Sequence, residues 1–228
     1  MKLQEYTKKR HFALTPEPSG EENVRRQRNG PFIYVVQKHL ASHLHYDFRL
    51  EWRGTLLSWA LPKGPSLDPA VKRLAMRTED HPIEYANFEG VIPADQYGAG
   101  TVMLWDRGTW QPDDADVEAS LKKGEIKFTL YGEKLKGSWV LVRTRGFGRN
   151  PGGSAWLLIK HRDRYASTED VTEEEPRSVA TRRFLADIAR DERGDVEKAA
   201  KGDPSGEARL SSSTRTVPKR SRKPPKKQ

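Results

Sequence analysis

The stretch Gln37-Lys38-His39-Leu40-Ala41-Ser42-His43-Leu44-His45-Tyr46-Asp47-Phe48-Arg49-Leu50-Glu51 holds three histidines, two acids and an arginine within fifteen residues. In an extended strand the side chains alternate, so Tyr46, Phe48, Leu50 and Trp52 share an apolar face while His45, Asp47, Arg49 and Glu51 project from the other. His45 and Asp47 then have α-carbons about 6.6 Å apart, within reach of a common cation. His39 lies six residues before His45. A straight strand would separate them by about 20 Å, but a loop through LASHL folds the segment into a hairpin and sets the two histidines opposite each other at about 5 Å. His43 has the parity of His45, and spacing alone leaves it open as the ligand in place of His39. Two imidazoles and one carboxylate suit a divalent ion of the manganese, iron or zinc type with positions left for water or substrate oxygens. The competing reading is a solvated polar strand face, which such a motif by itself does not exclude.

Short apolar runs surround this hairpin: FIYVVQKH, HYDFRLEW, TLLSWAL, VKRLAMR, TVMLWD, EIKFTLY, GSWVLVRT and AWLLIKH. Eight such runs broken by Gly, Pro and charged pairs predict a mainly β domain, a barrel or sandwich. Arg53-Gly54, Arg107-Gly108 and Gly132-Glu133-Lys134 stand where antiparallel hairpins need turns. One internal helix is expected from about Asp113 to Lys123, capped by Asp113 or Asp114 and stopped by Gly124.

Charge divides the rest. The chain has 228 residues, 41 Lys plus Arg against 32 Asp plus Glu, and a net charge of +9. Residues 201–228 carry nine bases and two acids, +7, almost without large apolar side chains, and are expected to be a disordered basic tail. Residues 166–200 carry ten acids and six bases, −4, and read as an acidic linker with a short helix striped by Val179, Phe184, Leu185 and Ile188. Residues 1–165 keep the remaining +6 and all six Trp, the expected folded domain. The tail suits salt-dependent contacts with phosphates or serves only for solubility. Zero Cys excludes disulfide scaffolds, thiolate zinc sites and Cys nucleophiles. No window approaches 18 consecutive apolar residues, and MKLQEYTKKRHF lacks the apolar stretch of a signal peptide, so neither membrane insertion nor export is expected.

QKHLASHLHYDFRLE, followed by LLSWALPKGPSLDPAVKRLAMRTEDHPIEYANFEGVIP and YGAGTVMLWDRGTW, resembles the 3′-phosphoesterase domain of bacterial DNA ligase D. The resemblance runs from about Lys9 to His161. It includes an N-terminal element of Lys9, Arg10, Phe12, Thr15, Glu17, Pro18 and Gly20. It implies a compact antiparallel β barrel. It also implies a metal-dependent enzyme, manganese preferred, that removes a 3′-terminal ribonucleoside and then the 3′-phosphate to leave a 3′-hydroxyl for polymerase or ligase. Carried over by motif, His39, His45 and Asp47 are the metal ligands, which makes His43 a loop residue. Arg49, His81 and Tyr85 match phosphate-contacting positions. His81 is the candidate general acid for the leaving oxygen. Arg10, Glu17 and Arg73 match further functional positions, which the N-terminal segment must fold back onto the site to place. His11 departs from the pattern, where the family commonly has Asp. Tyr97-Gly98-Ala99-Gly100 reads as a tight turn before a strand.

The resemblance further implies DNA 3′ ends and primer-templates as substrates, with a separate DNA ligase or polymerase and an end-binding protein as partners. A stand-alone, monomeric, cytoplasmic and nucleoid-associated protein is the expectation, since no polymerase or ligase module fits within 228 residues. The alternatives are a catalytically silent DNA-end binder and a general phosphatase for small metabolites.

Overall fold

A computed structural model describes residues 3–20, 30–144 and 155–205. Ten strands form the sheet: β1 (Phe32–Leu40), β2 (Leu44–Trp52), β3 (Thr55–Leu61), β4 (Lys72–Arg77), β5 (His81–Pro82), β6 (Gly90–Ile92), β7 (Gly100–Pro112), β8 (Glu125–Gly132), β9 (Lys136–Arg143) and β10 (Ala155–Lys160). The order β1-β2-β3-β4-β10-β9-β8-β7 closes through a β7–β1 pairing, making an eight-stranded antiparallel barrel. β5 adds to β3 and β6 to β7 outside this ring. Closure removes the open edges that a sheet of this size would otherwise expose.

Alternation fills the barrel. Tyr34, Val36, Phe48, Leu50, Leu57, Trp59, Trp110, Phe128, Leu130, Trp139, Trp156 and Leu158 belong to one buried cluster. Each such large side chain contributes about 1.5–3 kcal/mol by leaving water. A second, smaller cluster of Tyr6, Val35, Leu56, Tyr85, Phe88, Ile92, Val102 and Leu104 lies on the opposite side of β1, β3 and β7. It is sealed by the N-terminal segment with α1 (Gln4–Lys8), by the 3-10 turn Ile83–Asn87 and by β6. The candidate site is built into this outer layer.

Arg53 and Gly54, both at positive φ (49° and 75°), form the two-residue turn between β2 and β3. Residues 133–135 turn β8 into β9 as expected. Arg107-Gly108 is not a turn. It lies inside β7, where Gly108 pairs with both Tyr34 and Gly132, and a Cβ there would stand 2.2 Å from the Tyr131 carbonyl oxygen. The glycine serves a close approach of backbones rather than a reversal. The internal helix α2 spans Val117–Lys123, starts at Asp116, whose side chain accepts the Ala119 N–H, and ends at Gly124. Asp116 displaces Asp113 and Asp114 as the cap because Asp113 is still held by its N–H to the Lys127 carbonyl.

Residues 166–200, expected from composition as a linker, carry three helices, α3 (Val171–Glu174), α4 (Leu185–Asp191) and α5 (Val196–Ala200). Val171, Leu185, Ile188, Ala189 and Ala199 join the barrel's own cluster. The strap is also tied by main chain: Trp105 Nε1 donates to the Glu175 carbonyl (2.8 Å), and Lys134 Nζ donates to the carbonyls of Glu175 (2.8 Å) and Arg177 (2.6 Å). The stripe of Val179, Phe184, Leu185 and Ile188 is buried as expected about α4, while the net acidity of the stretch concealed how far Val171 and Ala199 would also pack on the barrel. The expected tail begins later than 201: Asp203 accepts the N–H groups of Leu185 and Ala186 at the start of α4. Residues 206–228 lie outside the described residues.

Candidate metal and phosphate site

The β1–β2 hairpin reverses through Ala41-Ser42-His43 and places His39 directly opposite His45. Their rings are 4.8 Å apart between centroids. Asp47 Oδ2 lies 3.7 Å from His39 Nδ1 and 3.7 Å from His45 Nε2. One ligand atom from each of the three residues falls within 4.8 Å of the others. His45 Nδ1 donates to the His43 carbonyl (3.0 Å), which leaves Nε2 with its lone pair towards the acid. His43 itself is exposed in the turn, so it contributes a main-chain oxygen and not a ligand to this group.

Arg49 comes next on the same face of β2. Its Nη2 is 3.3 Å from Asp47 Oδ2, its Nε donates to Gln37 Oε1 (2.9 Å) and its Nη1 donates to Ser58 Oγ (2.8 Å). Gln37 is fixed in turn by donating to the carbonyls of Tyr85 (3.1 Å) and Phe88 (2.8 Å). Burial opposes ionisation of Asp47, yet the Arg49 guanidinium and the His39 side chain outweigh it and hold the carboxyl well below the ordinary range. Burial also pushes His45 down, keeping it neutral and able to ligate.

His81, in β5 beside β3, lies with Nδ1 2.9 Å from the Glu79 carbonyl and 2.9 Å from Arg49 Nη1, and Nε2 3.4 Å from Arg10 Nη2. We assign the proton to Nδ1, donating to Glu79, because Arg49 Nη1 has Ser58 as its acceptor and Arg10 supplies a donor to Nε2. Burial and the fields of Arg49 and Arg10 depress the His81 pKa well below the usual histidine value.

The N-terminal segment does fold back. Arg10 donates through Nε to Glu17 Oε1 (2.8 Å), Tyr85 donates its hydroxyl to the same oxygen (3.0 Å), and Thr15 donates to Glu17 Oε2 (3.0 Å). Glu17 therefore holds both Arg10 and Tyr85 in place. The Tyr85 hydroxyl, read from sequence as a phosphate contact, is committed to this carboxylate. His11 is exposed and does not line the cleft.

These groups surround a cleft of about 290 Å³ lined by Arg10, His39, His45, Asp47, Arg49 and His81, with Glu79, Tyr85 and Tyr97 among its other walls. Glu17 stands behind it, through Arg10 and Tyr85. Arg73 does not line it. On β4 Arg73 has the parity of Ala75 and Arg77, and Arg77 pairs with Trp59 on the barrel's inner side, while Ala60 lines the cleft from the other face. Sequence reasoning passed over Gln37, Ser58 and Glu79. Gln37 had a signal, since it precedes His39 by two residues and shares its face. Ser58 had a fainter one, as the polar interruption between Leu57 and Trp59 of an apolar run.

Residues 37–143 match the DNA ligase D 3′-phosphoesterase domain family. This stretch of the chain is homologous to that domain. The chain is 54% identical over 186 residues, 80% of its length, to "Multifunctional non-homologous end joining protein LigD" of Pseudomonas aeruginosa, and covers 22% of that relative. The protein of the same name from Mycolicibacterium smegmatis is 43% identical over 167 residues, 71% of this chain and 21% of the relative. "Multifunctional non-homologous end joining DNA repair protein LigD" of Mycobacterium tuberculosis is 41% identical over 152 residues, 64% of this chain and 19% of the relative. The chain thus spans about a fifth of the length of these relatives.

Within this cleft the three candidate ligands fit a divalent cation on their own chemistry. The carboxyl is held ionised, His45 is neutral, and His39 Nε2 is buried without a hydrogen-bond partner among the described residues. A buried imidazole nitrogen left unpaired carries a cost that coordination removes.

Proposed function

We propose that this chain is a metal-dependent 3′-end-processing phosphoesterase of DNA repair, which removes a 3′-terminal ribonucleoside and then the 3′-phosphate to leave a 3′-hydroxyl. The observation that carries this reading is the position of Asp47 Oδ2, 3.7 Å from each imidazole and 3.3 Å from Arg49 Nη2. A cation seat and an anion clamp meet there, as a phosphate ester under hydrolysis requires.

When bound at His39, His45 and Asp47, the cation, for which we choose manganese, supplies Lewis acidity to a phosphate oxygen and acidity to water. Arg49 binds the phosphate and balances the charge that grows on its oxygens. Gln37 and Ser58 keep the guanidinium from swinging, and Glu17 does the same for Arg10 and Tyr85. In the first step water adds to phosphorus, the bond to the ribonucleoside 5′-oxygen breaks, and that oxygen takes up a proton. In the second, another water adds to phosphorus, the bond to the 3′-oxygen of the strand breaks, that oxygen takes up a proton and inorganic phosphate leaves. His81 is neutral at rest between two guanidiniums. A bound phosphate offsets their field and lets Nε2 hold the proton that the departing oxygen receives.

On this reading the substrates are DNA 3′ ends and primer-templates. The partners are a separate ligase or polymerase and an end-binding protein, and the chain acts as a monomer beside the nucleoid. The test is a labelled primer-template ending in one ribonucleotide, incubated with the protein and manganese. The expected products appear in order, a strand shorter by one nucleoside with a 3′-phosphate and then the same strand with a 3′-hydroxyl, both stopped by chelation. An intact strand would indicate a silent end binder. Preferential hydrolysis of a free nucleoside monophosphate over a 3′-phosphorylated duplex end would indicate a metabolite phosphatase.

A further inference from the structure

Tyr97 is an exposed aromatic residue in a place where most aromatic rings of this domain are enclosed. Half of its surface is open (52%), and it lines the cleft beside Gly98, whereas the other large exposed apolar or aromatic residues described, Leu14, Tyr131 and Tyr165, do not. The turn that carries it is fixed by backbone bonds from Gln96 N to Pro93 O (3.0 Å) and from Ala99 N to Gln96 O (3.1 Å). Gly98 packs so near the metal hairpin that a Cβ there would lie 3.9 Å from His39 Cε1. The ring is steadied by Lys9, whose Nζ is 4.8 Å from its centroid and 3.5 Å from its hydroxyl oxygen, and Lys9 is itself tied to Glu79 at 3.1 Å.

The inner wall of the cleft is charged and suits a phosphate, so the nucleoside attached to that phosphate must cross the rim. An aromatic ring half exposed at that rim, with Lys9 and Arg10 near it at 4.8 and 5.6 Å from its centroid, offers what a base needs, since every base has a π-face and stacking tolerates any sequence. The retained strand has many phosphates by which the protein can grip it. The single nucleoside being expelled has only its base and sugar. We propose that Tyr97 is the platform on which the base of the 3′-terminal ribonucleoside stacks, a binding residue for the first step and not for the second. This rests on the end-processing reading above.

The experiment follows both steps with the full chain, manganese and two primers, one ending in a ribonucleotide and one in a 3′-phosphate. Tyr97→Ala is expected to lower kcat/KM for ribonucleoside removal roughly tenfold to a hundredfold, mostly through KM, the range for losing one base–aromatic stack. Phosphate removal by the same preparation is expected to fall far less than ribonucleoside removal, and a wild-type thermal melt reports correct folding. Tyr97→Phe keeps the first step, because it keeps the ring. In the absence of metal, a primer ending in 2-aminopurine riboside loses fluorescence on binding the wild type and Tyr97→Phe but not Tyr97→Ala. Equal loss in both steps would assign the ring to the retained strand and overturn the proposal, as would unchanged kinetics for Tyr97→Ala. If the wild type performs neither step, the end-processing reading itself fails, which is a different result from a silent substitution.

Discussion

The two faces of β2 differ in what holds them together. Tyr46, Phe48 and Leu50 face an aromatic core whose stability comes from excluding water, while Asp47 and Arg49, one residue along, face a layer of charges that are equally buried. The inner face would persist in any barrel with this pattern. The outer face survives burial only because each charge has a partner: Arg49 has Asp47, Gln37 and Ser58, and Arg10 has Glu17. What separates them is the cover. The barrel closes on itself, whereas the outer layer is roofed by the N-terminal segment, the 3-10 turn and β6, added from distant parts of the chain. A site roofed in this way can exclude water from charged groups and still open to substrate.

Substitutions one residue apart test that contrast most strongly. Asp47→Ala or His45→Ala is expected to reduce both hydrolytic steps on the order of a thousandfold or more; His45→Ala does so with little change in Tm, whereas Asp47→Ala also lowers Tm, because it leaves the buried Arg49 without its charged partner. Phe48→Ala is expected to cost about 3–5 kcal/mol of stability, with activity lost only as the protein unfolds. Denaturant melts alongside end-processing assays decide it, and near-wild-type activity for Asp47→Ala would break the division of faces.

Arg49→Ala should slow both steps by about 10²- to 10³-fold, through loss of a charged fork at the phosphate. Arg49→Lys should not restore them, because a point charge cannot satisfy Asp47, Gln37 and Ser58 together. Single-turnover rates with each primer make the comparison.

The boundary between folded strap and basic tail gives a smaller effect. Deleting residues 206–228 should leave turnover at saturating DNA unchanged, weaken binding and flatten its dependence on salt. Asp203→Ala should leave the salt slope alone and lower Tm, since its carboxylate caps the first two N–H groups of α4. Fluorescence anisotropy across a salt series separates the two, and an unchanged slope after the deletion would remove the tail from the DNA contact.

The smallest expected effect is a pH slope from the outer layer alone. Burial, Arg49 and Arg10 keep His81 neutral in the folded protein far below its ordinary value of 6.5, whereas the unfolded chain takes up the proton near that value. The unfolded state therefore binds more protons as pH falls below about 6.5, and stability declines with acidification through that window. His81→Gln should flatten the decline in metal-free protein, measured as ΔG of unfolding between neutral and mildly acidic pH.

Local pattern determined much of this. Period-two alternation marked Tyr46, Phe48 and Leu50 as one face and His45, Asp47 and Arg49 as the other, and hairpin logic set His39 opposite His45, where the structure pairs them. These are properties of adjacent residues, and a strand's geometry leaves them no freedom. The sequence motif also named Arg10 and Glu17, but their contact with Tyr85 and His81 depends on segments about seventy residues apart meeting over the outer layer, which no local period encodes. Arg73 shows the reverse: its motif position suggested the site, while the pairing of β4 with β3 and β10 turned it to the other side of the wall. In the acidic stretch 166–200 the expected stripe of Val179, Phe184, Leu185 and Ile188 is buried about α4, but three helices stand where a linker with one was expected. Its few apolar residues become a packed strap only where the barrel presents Trp105, Lys134 and an uncovered end of its core to receive them, and that surface exists only after the strands have closed.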